Sequence, residues 1–333
     1  MPGDGTGARY LVTGAAGCIG AWTMKLLLDD GAHVIGADLA PDRRRLRLVA
    51  GDGPAADAHL VALDITDGDA VRALVEAERI THVIHLAALQ VPFCRADPVR
   101  GSLVNVTGTI NVFEAAVATR PQVRSVVYAS SAAVFGPASM YPEGVVHDDS
   151  PLSPATTMYG VYKQANEWSG KVYAATNDLP TVGLRPFVVY GPGRDQGMTS
   201  GPSMAILAAV TGVPFHIPYG GYNLFHHGED VARAFIGACQ AEAIEALALN
   251  IGGRRATVAE FVEALIAVLP EARALITFEP DELPFPSKVD DGGLQRLVGG
   301  STHLTLEEGI ARSVTIFRDA LKRGAVAAPQ AVT

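Results

Sequence analysis

The chain has 333 residues, 48% hydrophobic and 18% charged, with 35 Gly and 21 Pro spread along its length. That composition predicts a globular chain of one large or two modest domains and excludes disordered and collagen-like classes. Asp and Glu outnumber Lys and Arg by 35 to 26, a formal charge of -9; no nucleic-acid partner is expected, because gripping a phosphate backbone needs cations gathered on one face.

The first half alternates short apolar runs with amphipathic stretches, the pattern of βαβ units around a parallel sheet. Strands are predicted over residues 9–13, 33–38, 60–64, 82–86 and 125–129, and helices over 18–30, 69–78 and 99–118. Gly31 suits the left-handed end of the first helix. Beyond about residue 185, Pro and Gly crowd the chain at Pro186, Gly191, Gly193, Gly197, Gly201 and Pro202, and order becomes less regular. Thr257 with Glu260, and Thr305 with Glu308, form capping boxes ahead of two apolar-periodic helices.

The expected fold is therefore α/β. A Rossmann-type doubly wound parallel sheet spans 9–185, and a smaller mixed α/β C-terminal lobe over 186–322 binds substrate, with some chain returning to the sheet. Residues 1–8 and 325–333 are expected to fray. Cys18, Cys94 and Cys239 stand apart without a C-x-x-C spacing, so neither zinc nor a disulfide framework is expected and a cytoplasmic location is. No leader or membrane span is expected, since no basic start with an apolar run follows Met1 and no apolar run approaches about 18 residues.

Gly14, Gly17 and Gly20 follow the first predicted strand and open the first predicted helix, with Cys18 and Ile19 between them. A strand-to-helix turn without Cβ atoms lets backbone N–H groups and the positive helix end approach a pyrophosphate. Asp38 ends the second strand, where a carboxylate accepts hydrogen bonds from a ribose and repels a 2′-phosphate, which favours NAD over NADP. The run Arg43, Arg44 and Arg45 beyond it reads as a solvated face. Asp64 is a candidate for the adenine edge, or for helix capping together with Thr66.

Tyr159 and Lys163 lie four residues apart in a stretch, 159–176, that reads as one helix, so both face the same way. A nearby ammonium favours tyrosinate, a group able to take a proton from an alcohol. Ser131 follows the strand at 125–129 and is placed to hydrogen-bond the reacting oxygen.

With these pieces in order, the sequence resembles the extended short-chain dehydrogenases, in their NAD-dependent epimerase/dehydratase branch, over roughly residues 9–320. The matching segments are 13–20, Asp38, Asp64 with Ile65, His85 through Ala88, Asn105 with 108–111, 130–136, 159–163, 184–186 and 189–192. The resemblance implies a catalytic group of Ser131, Tyr159 and Lys163, and a cofactor site that adds Leu86, Ala87, Ala88, Asn105 and Ala129. It also implies that Pro186 through Val188 lie beside the nicotinamide, and that the chain forms a homodimer through helices.

The sequence departs from the branch at three places. Dehydratases there resemble one another in a Thr-Asp-Glu at the catalytic strand end, whereas this chain has Ser131, Ala132 and Ala133, so dehydration is not expected. Enzymes of nucleotide sugars tend to carry Asn and Arg where this chain has Val188 and Asn223, and Arg is the usual phosphate clamp. A free sugar, sugar acid or other small hydroxy compound is expected instead.

Gln90, Phe93 and Arg95 follow the fourth strand, and Arg194, Met198 and Thr199 follow a Gly-Pro-Gly turn. Both loops, with Ala132 and Phe187, are expected over the substrate. Either Arg suits a substrate carboxylate or phosphate, or a surface ion pair. No metal is expected at His226, His227, Glu229 and Asp230, because adjacent residues splay apart and acids suit a helix N-terminus. Cys18 reads as a packed thiol. The functional expectation is an NAD-dependent epimerase or oxidoreductase acting on a secondary alcohol of a carbohydrate or sugar-acid-like small molecule. The alternatives are net dehydrogenation of a small hydroxy compound and a non-catalytic dinucleotide sensor.

Overall fold

Alternating apolar residues explain the central layer. In the strand Arg9–Thr13, Tyr10 and Val12 point to one face and Leu11 to the other, all three almost fully buried, so helices must cover both sides. The computed structural model describes residues 7–152, 154–300 and 303–329. Its strands are β1 (Arg9–Thr13), β2 (His33–Asp38), β3 (His59–Ala62), β4 (His82–His85), β5 (Ser125–Ala129), β6 (Val145–Val146), β7 (Thr181–Arg185), β8 (Val188–Tyr190), β9 (Phe215–Ile217), β10 (Tyr222–His227), β11 (Leu247–Asn250), β12 (Arg254–Thr257), β13 (Ile276–Phe278) and β14 (Lys288–Val289).

Seven of them form one parallel sheet in the order β11-β7-β5-β4-β1-β2-β3. The chain order reverses between β1 and β4. A crevice opens outside the C-terminal strand ends at such a switch point, and ligands bind there. One core face contains Tyr10, Val12, Trp22, Ile84 and Val127 and continues into the C-terminal segments; the other contains Leu11, Ile35, Phe113, Val126 and Tyr128. The later chain adds the small sheets β12-β10-β8, β13-β9 and β14-β6. The doubly wound sheet with a smaller mixed lobe is thus the observed architecture.

Helix Cys18–Asp29 is followed by Gly31 at φ +71°, as its sequence signalled. Both predicted capping boxes form. Glu229 and Asp230 occupy the first turn of helix Gly228–Gln240, where their charge complements the macrodipole.

Four expectations need correction. The helix expected over 99–118 is split into Pro98–Ser102, a π-turn at Leu103–Thr107, and Gly108–Ala118. Tertiary bonds made by Asn105 impose the wide turn, since its side chain holds the Leu89 backbone and its carbonyl accepts from Asn166 Nδ2 at 2.9 Å. The arginine run is only partly a solvated face: Arg44 is exposed, but helix Arg44–Ala50 begins within the run, Arg43 donates to Ala55 O and Ala58 O, and Arg45 donates to Ala16 O. Helix Gly68–Ala77 is capped by Asp67, not by Asp64 or Thr66. Finally, Ala8 is buried, and Ala325 and Val326 pack on the core, because apolar side chains at these ends find covered surface; Gly7, Ala327 and Ala328 are exposed, and residues 1–6 and 330–333 lie outside the described residues.

Candidate active site

The glycine turn is built for close approach. A Cβ on Gly14 would stand 2.6 Å from Ala87 N, and one on Gly20 would stand 2.2 Å from Gly14 O, so larger residues would push the turn away from both β4 and its helix. Gly17 N-caps helix Cys18–Asp29 without a side-chain acceptor, leaving first-turn amides directed at the groove. At the end of β2, Asp38 Oδ2 accepts from Ala16 N at 3.1 Å, and burial raises its pKa from the ordinary carboxylate value.

A groove of about 360 Å³ runs along these strand ends. It is lined by Gly14, Gly17, Cys18, Ile19, Gly20 and Asp38, by Asp64 and Ile65, by Leu86, Ala87 and Ala88, and by Ala129, Tyr159, Lys163 and Pro186. Asp64 reaches this wall inside a local turn, accepting from Thr66 N and Oγ1, which lowers its pKa. An anion-binding turn, a ribose-facing carboxylate and an apolar bed for a base together fit a dinucleotide.

Asn105 does not line the groove. It is fully buried, and its amide accepts from Leu89 N at 2.7 Å and donates to Leu89 O at 2.9 Å, so it shapes the loop that does. His85 works similarly: burial pushes its pKa down to about 3, and the neutral ring bridges Thr13 Oγ1 at 2.6 Å and Thr109 Oγ1 at 3.1 Å.

Tyr159 joins the groove to a second cavity of about 150 Å³. Thr157 caps helix Met158–Asn177, and a Cβ at Gly160 would lie 2.4 Å from Ala133 O, so the helix seats directly against the turn that carries Ser131. Ser131 Oγ accepts from Ala133 N at 3.1 Å and faces this cavity beside Tyr159. Lys163 Nζ donates to Ala129 O at 2.7 Å and lies 5.5 Å from the Tyr159 ring centroid.

The electrostatics differ from the simple tyrosinate picture. Burial raises the Tyr159 pKa, against the opposing pull of the Ser131 hydroxyl and the Arg194 guanidinium, while burial lowers Lys163 to about 8. For Tyr159, burial outweighs the opposing pull of Ser131 and Arg194. Burial likewise pushes the Cys18 thiol up to about 11, although the residue lines the groove.

Ala132, Phe187, Val188, Met198, Thr199, Gln90 and Arg194 all line the second cavity, so Val188 stands on this side and not in the groove. Phe93 lies outside it, at the outer mouth of the groove. Arg95 sits exposed in the last turn of helix Val91–Ala96 and lines none of the cavities found among the described residues, because its helix directs it to solvent. Tyr222, Leu224, Phe285 and Pro286 complete the cavity; they come from segments whose sequence carries no site signal. Asn223 also lines it, but its Nδ2 is turned to the carbonyls of Gly220 and Gly221 at 3.2 and 3.3 Å.

His226 and His227 diverge, the first bonding Gly252 O and the second Ser313 Oγ, and no metal-holding cluster occurs among the described residues.

A dinucleotide groove continuous, at Tyr159 and its neighbours, with a cavity under a second lobe puts this protein among the extended short-chain dehydrogenases. Residues 10–252 match the NAD dependent epimerase/dehydratase family, and the chain belongs to it. It is 32% identical over 328 residues to a UDP-glucose 4-epimerase of Mycolicibacterium smegmatis, covering 93% of this chain and 99% of that protein. Among solved structures, MoeE5 in complex with UDP-glucose and NAD is 29% identical with a TM-score of 0.77, covering 94% of this chain and 100% of its own. A partial consensus L-threonine 3-dehydrogenase is 26% identical with a TM-score of 0.79, covering 93% and 99% respectively. The protein is an NAD-dependent epimerase or dehydrogenase of the extended type. No helix among the described residues is long and apolar enough to cross a membrane.

Proposed function

We propose that this protein epimerises a sugar or sugar acid by transient oxidation of a secondary hydroxyl, keeping its cofactor through the cycle. Bound NAD would accept hydride and give it back. Tyr159 takes the hydroxyl proton, Ser131 holds the reacting oxygen, and Lys163 keeps positive charge beside the tyrosine. Residues 9–185 form the cofactor domain in this reading, and 186–322 mainly the substrate lobe.

One observation carries the substrate class. Of the described residues lining the second cavity, Arg194 alone is charged, and Val188, Leu224, Phe187 and Phe285 form an apolar wall. One guanidinium matches a single carboxylate through a bidentate pair, and the apolar wall offers a diphosphate no second cation. Arg194 Nη2 bonds Thr199 Oγ1 at 3.0 Å, and its buried Nε has no hydrogen-bond partner, so a donor remains for substrate. Gln90 Oε1 is buried without a partner at the same junction.

The test is to incubate the protein, without added cofactor, with paired isomers of hexoses and sugar acids and with UDP-glucose, and to follow isomer exchange. Exchange of a free sugar acid supports the reading. Exchange of UDP-glucose alone overturns the substrate class, and accumulation of ketone with NADH favours net dehydrogenation. Removal of Tyr159 without effect on any response would favour the sensor.

We propose in addition a homodimer. Val161, Trp168 and Val172 are exposed at helical spacing on Met158–Asn177, beside exposed Val99 and Leu103, and a second copy would cover this stripe. The described cysteines are unpaired, which supports a reducing compartment such as the cytoplasm.

A further inference from the structure

The segment 191–199 leaves β8, crosses the mouth of the dinucleotide groove and enters helix Gly201–Thr211. It is fastened on both walls. On one side, Pro192 O accepts from Trp22 Nε1 at 3.0 Å, and Gly193 stands against Cys18, where a Cβ would lie 3.7 Å from the Cys18 Cα. On the other, a Cβ at Gly197 would lie 2.1 Å from Gln90 Oε1.

Between these points Asp195 Oδ1 accepts from Arg45 Nε at 3.1 Å and Nη2 at 2.6 Å. Arg45 Nη1 donates at 2.8 Å to Ala16 O, in the glycine turn itself. The Arg45 side chain is only 16% exposed, so the pair is better shielded than an ordinary surface bridge. Gly193 and Gly197, at φ +91° and +93°, flank the bonded stretch and supply left-handed pivots that other residues rarely adopt.

We propose that the Arg45–Asp195 ion pair latches segment 191–199 across the groove and sets how slowly NAD leaves. The groove and its outer mouth share Gly17, Cys18, Asp38, Gln90 and Arg194, so whatever lies on the glycine turn lies beneath this strap. The same strap carries Arg194 to the substrate cavity, so opening it withdraws Arg194 from the cavity. Retention of this kind suits a reaction in which hydride is borrowed and returned. The inference rests on the NAD dependence of the family and not on the substrate class.

The full-length protein, loaded with NAD, is diluted into excess alcohol dehydrogenase with ethanol, which converts released NAD to NADH and reports the release rate. Asp195→Asn speeds release about 5- to 10-fold, Arg45→Gln speeds it less because Arg44 Nη2 still lies 3.7 Å from Asp195 Oδ2, and the double variant is no faster than Asp195→Asn alone. Asp195→Glu keeps release slow. Asp195→Asn is isosteric at a partly exposed position, so its result reads the latch rather than folding. Release at the wild-type rate in both single variants, or a double variant equal to the product of the singles, overturns the latch.

Discussion

Glu167 and Arg185 face each other through two hydrogen bonds of 2.8 Å, with side chains only 2% and 3% exposed. Glu167 Oε1 also accepts from Ser130 Oγ at 2.5 Å, while Arg185 Nη1 donates to Asp148 O at 3.0 Å and Asn250 Oδ1 at 3.3 Å. The helix that carries Tyr159 and Lys163 is thereby tied to the ends of β5, β7 and β11. Glu167→Gln leaves a buried guanidinium without its countercharge, and the expected loss is about 3 kcal/mol or more, read from denaturant unfolding. A variant as stable as the parent would show that the strand ends hold without the pair.

Tyr159→Phe keeps the ring that joins the two cavities and removes only the hydroxyl. Turnover is expected to fall about 100-fold or more while NAD binding, measured by calorimetry, stays within about twofold. Loss of NAD binding instead would assign Tyr159 to cofactor affinity.

Arg194 and Arg95 separate a cavity cation from a surface one. Arg194→Gln is expected to raise KM for a sugar-acid substrate about 10-fold or more, whereas Arg95→Gln leaves it unchanged. Equal effects of the two substitutions would mean that net charge, and not the site, attracts the substrate.

Buried histidines set an acid limit. Burial holds His85 and His226 down to about 3 and His227 to about 4, so each is neutral in the fold where the unfolded chain titrates near its model value of 6.5. Below that value the unfolded state binds more protons, and stability falls as pH drops until the folded pKa values are reached. Three such groups give a slope of about 4 kcal/mol per pH unit between roughly pH 6 and 4. Melting temperatures across this range test it; a flat profile would mean the rings are accessible to protons in the native state.

The apolar stripe on helix Met158–Asn177 predicts a self-associating surface. Trp168→Glu with Val172→Glu is expected to convert dimer to monomer in sedimentation, since buried carboxylates without partners oppose association. A monomeric parent would remove the basis of the proposal.

Much of the architecture was legible because it rests on local rules. Apolar runs bounded by turn signals placed β1, β2 and β5 at their observed limits; Gly31, Thr257 with Glu260, and Thr305 with Glu308 marked helix ends through hydrogen bonds that span only a few residues. The glycine turn, Asp38 and the Tyr159–Lys163 spacing are equally local, and they lie together along the groove.

What the tertiary structure alone decided concerns distant partners. The π-turn at Leu103–Thr107 depends on Asn105 reaching Leu89 and on Asn166 reaching Asn105, and Arg45 left the solvated role of its charge run because Asp195, 150 residues away, accepts its hydrogen bonds. The pKa of Tyr159 also followed burial and not its neighbour in the helix. Hydrogen-bond geometry within a turn is set by adjacent residues, and their order in the sequence encodes it. Burial and long-range pairing exist only once the sheet has brought separate segments together.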